Sequence, residues 1–161
     1  MPISLNPFRQ STGLCGPASL KILLDFYGRT FTEEELAELC EATAEYGTDH
    51  ANMVEAVRAL GGEPVAKSDA TLDDIREAVR RGIPVVVGWY STFGEPDDHY
   101  SVVYAIDDAT ISMMDPERDE GSVTMPLDEF DKAWHDFDGP ENVRVDRWMM
   151  TIPSFTNETS A

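Results

Sequence analysis

Hydrophobic positions follow a helical period in the first half of the chain and a strand period in the second. From Gly16 to Tyr27, residues Leu20, Ile22, Leu23, Leu24, Phe26 and Tyr27 mark the buried face of a helix, and Gly28 supplies its stop. Thr32 opens a second helix. Glu35, three residues on, completes a capping box, and Leu36, Leu39 and Cys40 form the inner face. Asp49 to Leu60 is a third, with Met53, Val54, Val57 and Leu60 at helical spacing before Gly61-Gly62. A short fourth runs from its cap at Thr71 to Arg81 and closes at Gly82.

The period then changes. Ile83 to Tyr90 is β-branched and aromatic, a buried strand with Pro84 at its start. His99 to Ile106 and Thr110 to Met114 read as two strands joined at an Asp107-Asp108 turn, and Ser122 to Met125 as another. An amphipathic helix is predicted over Leu127 to Trp134, and a last strand over Val143 to Ile152. Helices first and strands later predict an α+β fold, an N-terminal helical lobe packed against a C-terminal antiparallel β-sheet lobe. There is no internal repeat and no interior linker, so the 161 residues read as a single domain over 1–153, with 154–161 expected to fray.

Charge narrows the function classes. Acids outnumber bases 31 to 12, a net charge of −19, which excludes a generic nucleic-acid binder and argues against an anionic membrane surface as partner. No apolar run approaches the roughly 20 residues of a membrane span. Met1 to Gln10 lacks the apolar stretch of a secretory signal, so a cytoplasmic location is expected. The acid is dense from Asp107 to Glu141, where only Arg118 and Lys132 oppose it. That stretch reads as a solvated face; as a binding surface it would favour basic substrates. Two cysteines, Cys15 and Cys40, cannot build a disulfide framework and read as free thiols.

Cys15 is the most informative position. It follows the loop Ser11-Thr12-Gly13-Leu14 and directly precedes Gly16-Pro17, and proline favours the first turn of a helix. A thiol there faces the positive end of the helix dipole, which stabilises thiolate over thiol. Cys40 sits beside Leu39 inside a helix and reads as core. A nucleophilic cysteine needs a base, and His99, at a strand tip, can reach across a cleft to the helix carrying Cys15. His50 and His135 read as surface residues near helix ends. Asp115 ends the strand after that of His99, and a hairpin turning at Asp107-Asp108-Ala109 draws the two ends to one edge, so Asp115 can hold the imidazole in its working tautomer. Asp97 and Asp98 rank lower, because adjacent strand residues face apart. Gln10, five residues before Cys15, can donate its side-chain amide to a developing oxyanion alongside the Cys15 N–H.

Zinc is a poor fit for Cys15, His99 and Asp115, because no closely spaced ligand pair accompanies them. The acidic stretch Asp115 to Gly121 departs from a calcium loop, with Gly at the seventh place and Pro126 at the twelfth. No metal and no cofactor are therefore expected.

In this order, Gln10-x4-Cys15-Gly16-Pro17-Ala18-Ser19-Leu20, Tyr46-Gly47-Thr48, Gly82-Ile83-Pro84-Val85-Val86, His99-Tyr100-Ser101-Val102-Val103 and Asp115-Pro116 form a recognisable set. It resembles the double-glycine leader peptidases, cysteine peptidase family thirty-nine of the papain clan, in their free-standing form. The likeness spans Leu5 to Trp134. It implies a papain-like fold with its cleft between the two lobes. It further implies Cys15 as nucleophile, His99 as general base and acid, Asp115 as orienter and Gln10 as oxyanion donor, cleaving a peptide bond through an acyl-enzyme. The best-known members are N-terminal domains of export transporters, whereas this sequence has no Gly-x4-Gly-Lys-Ser/Thr string. The expected substrate is accordingly a peptide or amide in general. Two alternatives share the residues: acyl or peptidyl transfer on the same triad, and a non-catalytic peptide-binding module. The module reading expects loss of Cys, His or the amide donor, and all three are present. No oligomeric state is specified by the sequence.

Overall fold

Why the first helix is apolar along so much of its length becomes clear from what lies on either side of it. A computed structural model describes residues 3–43, 47–91 and 97–156. In it α1 (Cys15–Phe26) lies between α2 (Glu33–Leu39), α3 (His50–Ala59) and the sheet, and Leu20, Ile22, Leu23 and Leu24 are fully buried. Truncating one such leucine to alanine typically costs about 2–5 kcal/mol. The predicted capping box of α2 is present: the Thr32 side chain accepts the Glu35 N–H at 3.0 Å, and the Glu35 carboxylate accepts the Thr32 N–H at 2.9 Å. Thr71 caps the fourth helix, α4 (Leu72–Arg80), in the same reciprocal way with Asp74.

The strands are β1 (Gly62–Lys67), β2 (Val85–Ser91), β3 (Asp97–Ile106), β4 (Thr110–Met114), β5 (Ser122–Pro126), β6 (His135–Asp138), β7 (Val143–Asp146) and β8 (Trp148–Phe155), with α5 (Leu127–Ala133) between β5 and β6. Six of them form one antiparallel sheet in the order β1-β8-β2-β3-β4-β5, and β6 pairs with β7 in a separate ribbon. Alternation along β2 explains its unbroken apolar run. Val86 faces α1, α2 and α3, while Val85 and Val87 face Ile75 of α4 and Phe130 of α5. Both sides of the strand are buried, so no position can be polar for solvent's sake.

The predicted α+β organisation holds, with four differences of detail. α4 does not join the other early helices; it packs with α5 on the opposite face of the sheet. β1 was not foreseen: it is an edge strand, mostly exposed and containing Pro64, so it carries no alternating pattern. The predicted strand over Val143 to Ile152 is two strands, broken at Arg147 by a left-handed φ of 56°, and β6 before it is too short and polar to signal itself. Finally, Ser154 and Phe155, expected to fray, belong to β8, and the Thr156 N–H donates to the Gly61 carbonyl at 2.6 Å. Residues 157–161 of the expected tail and Tyr46 of the Tyr-Gly-Thr motif lie outside the described residues.

Candidate active site

The loop into α1 is a tight turn. The Leu14 N–H donates to the Ser11 carbonyl at 3.0 Å, and Gly13, third in the turn, takes a φ of 78° that side-chain-bearing residues avoid. The chain then enters α1 at Cys15. No side chain caps this helix and no acidic residue occupies its first turn, so its N-terminal N–H groups and dipole are left to whatever the sulfur holds or attacks. Cys15 is partly exposed, whereas Cys40 is fully buried and its thiol is pushed up to about 12 by burial.

His99 lies on β3 opposite Trp89 of β2, buried to 5% exposure, with the indole packed edge-on to its ring at 6.2 Å between ring centres. Trp89 is fixed in turn by a 3.0 Å bond from its Nε1 to the Ser101 hydroxyl. The hairpin predicted around Asp107 forms, with the Asp107 carboxylate accepting the Ala109 and Thr110 N–H groups at 2.7 Å each. It brings Asp115, immediately after β4, to the edge where His99 sits. Asp115 is fully buried and well supplied with donors: His99 Nε2, the Glu117 N–H at 3.0 Å and Arg118 Nε at 3.2 Å.

Electrostatics favour the charged pair. Burial alone would lower the His99 imidazole; the hydrogen bond it gives to Asp115 and its interactions with Cys15, with their charges, outweigh burial and raise it to about 10. Burial would raise the Asp115 carboxyl, and its bond and charge interaction with His99, the Glu117 N–H and Arg118 hold it below the usual range. With Nε2 of the ring turned to Asp115, Nδ1 is the nitrogen left for the Cys15 side. Cys15 and Asp115, 100 positions apart in the sequence, thus act on the same buried imidazole.

Gln10 is anchored beside them by its own N–H, which donates to the Pro116 carbonyl at 2.8 Å. Its side-chain nitrogen makes one long bond, 3.4 Å, to the Ser11 carbonyl, leaving donor capacity on a group that has two N–H bonds to give. Its Oε1 is buried without a hydrogen-bond partner.

Of the other two histidines, one departs from the surface placement expected. His50 is buried rather than on the surface: its Nε2 is 2.7 Å from Asp136 Oδ2, and its ring stacks on Trp148 at 4.3 Å. Gly88 makes room for this pair, since a Cβ there would lie 2.5 Å from the Asp136 carboxylate. His135 lies two residues past α5, near a helix end as expected, where it begins β6 and stacks flat on Tyr90. Arg118 was missed by sequence reasoning. Its only signal there is its place three residues after Asp115 in a turn. Among the described residues no group of three or more His, Cys, Asp or Glu is arranged to hold a metal ion, and no helix is long and apolar enough to cross a membrane.

A sulfur at a helix start facing a carboxylate-bound imidazole, on this sheet, falls in the class of cysteine peptidases. The profile of the Peptidase_C39 like family matches residues 3–141, and the chain belongs to that family. An uncharacterized protein of Methanothermobacter marburgensis is 33% identical over 127 residues, covering 78% of this chain and 80% of that one. The pediocin PA-1 transport/processing ATP-binding protein PedD of Pediococcus acidilactici is 27% identical over 121 residues, 74% of this chain; the match spans only 16% of that protein's length. Among solved structures, a double glycine motif protease from an AMS/PCAT transporter in complex with the leader peptide superposes with a TM-score of 0.71 at 19% identity, covering 95% of this chain and 94% of that one. The peptidase domain of Streptococcus ComA gives 0.70 at 26% identity over 93% and 98%. Family and fold together support a cysteine peptidase.

Proposed function

We propose that this protein cleaves peptide bonds through a Cys15 thioester, with His99 and Asp115 completing the triad and Gln10 with the Cys15 N–H binding the oxyanion. The observation that carries this reading is the buried His99 ring bonded to Asp115, with Cys15 at the open end of α1 favouring the ring's charged form.

The Cys15 thiolate attacks the scissile carbonyl carbon while His99 holds the imidazolium proton. Negative charge gathering on the carbonyl oxygen is met by the Cys15 N–H and Gln10 Nε2; one such donor is typically worth about 2.7–4 kcal/mol in the transition state. Collapse passes the His99 proton to the leaving amine and leaves the acyl group on sulfur. Water then attacks the thioester with neutral His99 taking its proton, the acid departs and the ion pair is restored. Asp115 keeps Nε2 protonated throughout, so Nδ1 alone shuttles the proton.

Because a neighbouring fold holds a leader peptide, a peptide ending in Gly-Gly before the scissile bond is the first substrate to test. Two measurements decide the reading. Iodoacetamide at pH 6 should label Cys15 and leave buried Cys40 untouched, and Cys15→Ser should remove the labelling. Cleavage in a peptide library should vanish in Cys15→Ala. Labelling at Cys40 first, or turnover that survives Cys15→Ala, rejects the proposal.

A further inference from the structure

The segment carrying Gln10 is held at two points. On the sheet side the Gln10 N–H donates to Pro116, next to Asp115. On the helical side Ser11 gives its N–H, at 2.8 Å, and its hydroxyl, at 2.6 Å, to the two oxygens of one carboxylate, that of Glu33. The Ser11 carbonyl accepts both the Leu14 N–H that closes the turn into Cys15 and the Gln10 side-chain amide. Ser11 therefore bonds both to the turn that leads into Cys15 and to the Gln10 amide, and Glu33 fixes Ser11. Glu33 is 8% exposed and is the first residue of α2, where the helix's positive end favours its charge. Burying a carboxylate is costly, and none of the chemical steps above uses this one.

We infer that Glu33 is a positioning residue: acting through Ser11, it fixes the Gln10 amide and the Cys15 N–H relative to each other before substrate arrives. The inference rests on the oxyanion role proposed for those two groups. A preset pair of donors needs no reorganisation as charge develops, so slackening it should slow acylation while sparing the thiolate itself.

The test compares wild type, Glu33→Ala and Glu33→Gln by three readouts. One is kcat and KM on a Gly-Gly peptide amide. The second is affinity for a peptide nitrile, acetyl-Leu-Gly-aminoacetonitrile. Sulfur adds to its nitrile carbon, the His99 proton moves to nitrogen, and that nitrogen occupies the oxyanion's place. The third is iodoacetamide alkylation of Cys15, which needs no oxyanion donor. Glu33→Ala should lower kcat and nitrile affinity together by about 10- to 100-fold, with KM and alkylation within about twofold. Glu33→Gln, whose amide can accept the Ser11 N–H and donate to its hydroxyl, should recover most of the loss. Unchanged nitrile affinity in Glu33→Ala, or alkylation falling in step with kcat, overturns the inference. If Glu33→Ala does not fold, Ser11→Ala removes only the hydroxyl bond and should show the same pattern at several-fold; wild-type nitrile affinity there overturns it equally. A wild-type protein that alkylates at Cys15 yet neither cleaves peptides nor binds the nitrile brings down the peptidase reading, and this inference with it.

Discussion

Asp115→Asn isolates the charge that holds the His99 imidazolium. Asparagine keeps the size of the side chain, and its carbonyl oxygen can still accept from His99 Nε2 and from the Glu117 N–H, so the ring's orientation survives. What changes is the charge. An imidazole raised from 6.5 to about 10 reflects about 5 kcal/mol in favour of its protonated form, at 1.36 kcal/mol per pH unit. The hydrogen bond that His99 gives to Asp115 is the foremost of the interactions raising it, ahead of those with Cys15, and it must first offset burial. Removing roughly half of the total, about 2–3 kcal/mol, should bring the ring's midpoint down to about 8. Arg118, whose Nε lies 3.2 Å from Asp115, loses a carboxylate neighbour in the variant and pushes the same way. Carbon-13-labelled histidine followed by NMR across pH 5–11 measures this directly, since the chain has only three histidines to assign. The wild-type His99 signal should titrate near 10 and that of Asp115→Asn near 8, with at least tenfold slower cleavage at pH 7. A variant midpoint still near 10, or a wild-type midpoint near 6.5, refutes the reasoning.

Two further outcomes follow from the same structure. Stability should fall as pH rises from about 7 to 10: the raised His99 stabilises the fold fully below 6.5 and loses that contribution through about 10. The buried Cys40 thiol and Tyr27 phenol, each raised to about 12 by burial, act in the same direction once their unfolded counterparts ionise. Urea midpoints at pH 7, 8.5 and 10 check the sign, and a rising midpoint contradicts it. Gly88→Ala should destabilise by about 1–3 kcal/mol, because its Cβ must displace the Asp136 carboxylate that binds His50; unchanged urea unfolding would show that β6 yields freely.

Much of the site was legible because its parts are tied to local signals. Gly13, Cys15 and Pro17 announce a turn entering a helix, and an Asx-closed hairpin between His99 and Asp115 fixes which ends meet. What escaped is of two kinds. Edge and short strands such as β1 and β6 bury too little to imprint a period on the sequence. Buried polar pairs such as His50 with Asp136, 86 positions apart, and Ser11 with Glu33 depend on packing between elements, so their residues taken singly look like surface groups. The distinction between Cys15 and Cys40 was readable for the opposite reason: one stands at a helix start, the other on an apolar stripe.

The last strand in the sequence, β8, is inserted between β1 and β2, against the strand whose other edge supports His99. A ribosome must therefore release the chain through Phe155 before the sheet can close, and His99 and Asp115 gain their rigid backing only then. Nascent chains halted before Trp148 should accordingly carry Cys15 as a sluggish thiol, its partners not held in place until β8 has joined the sheet.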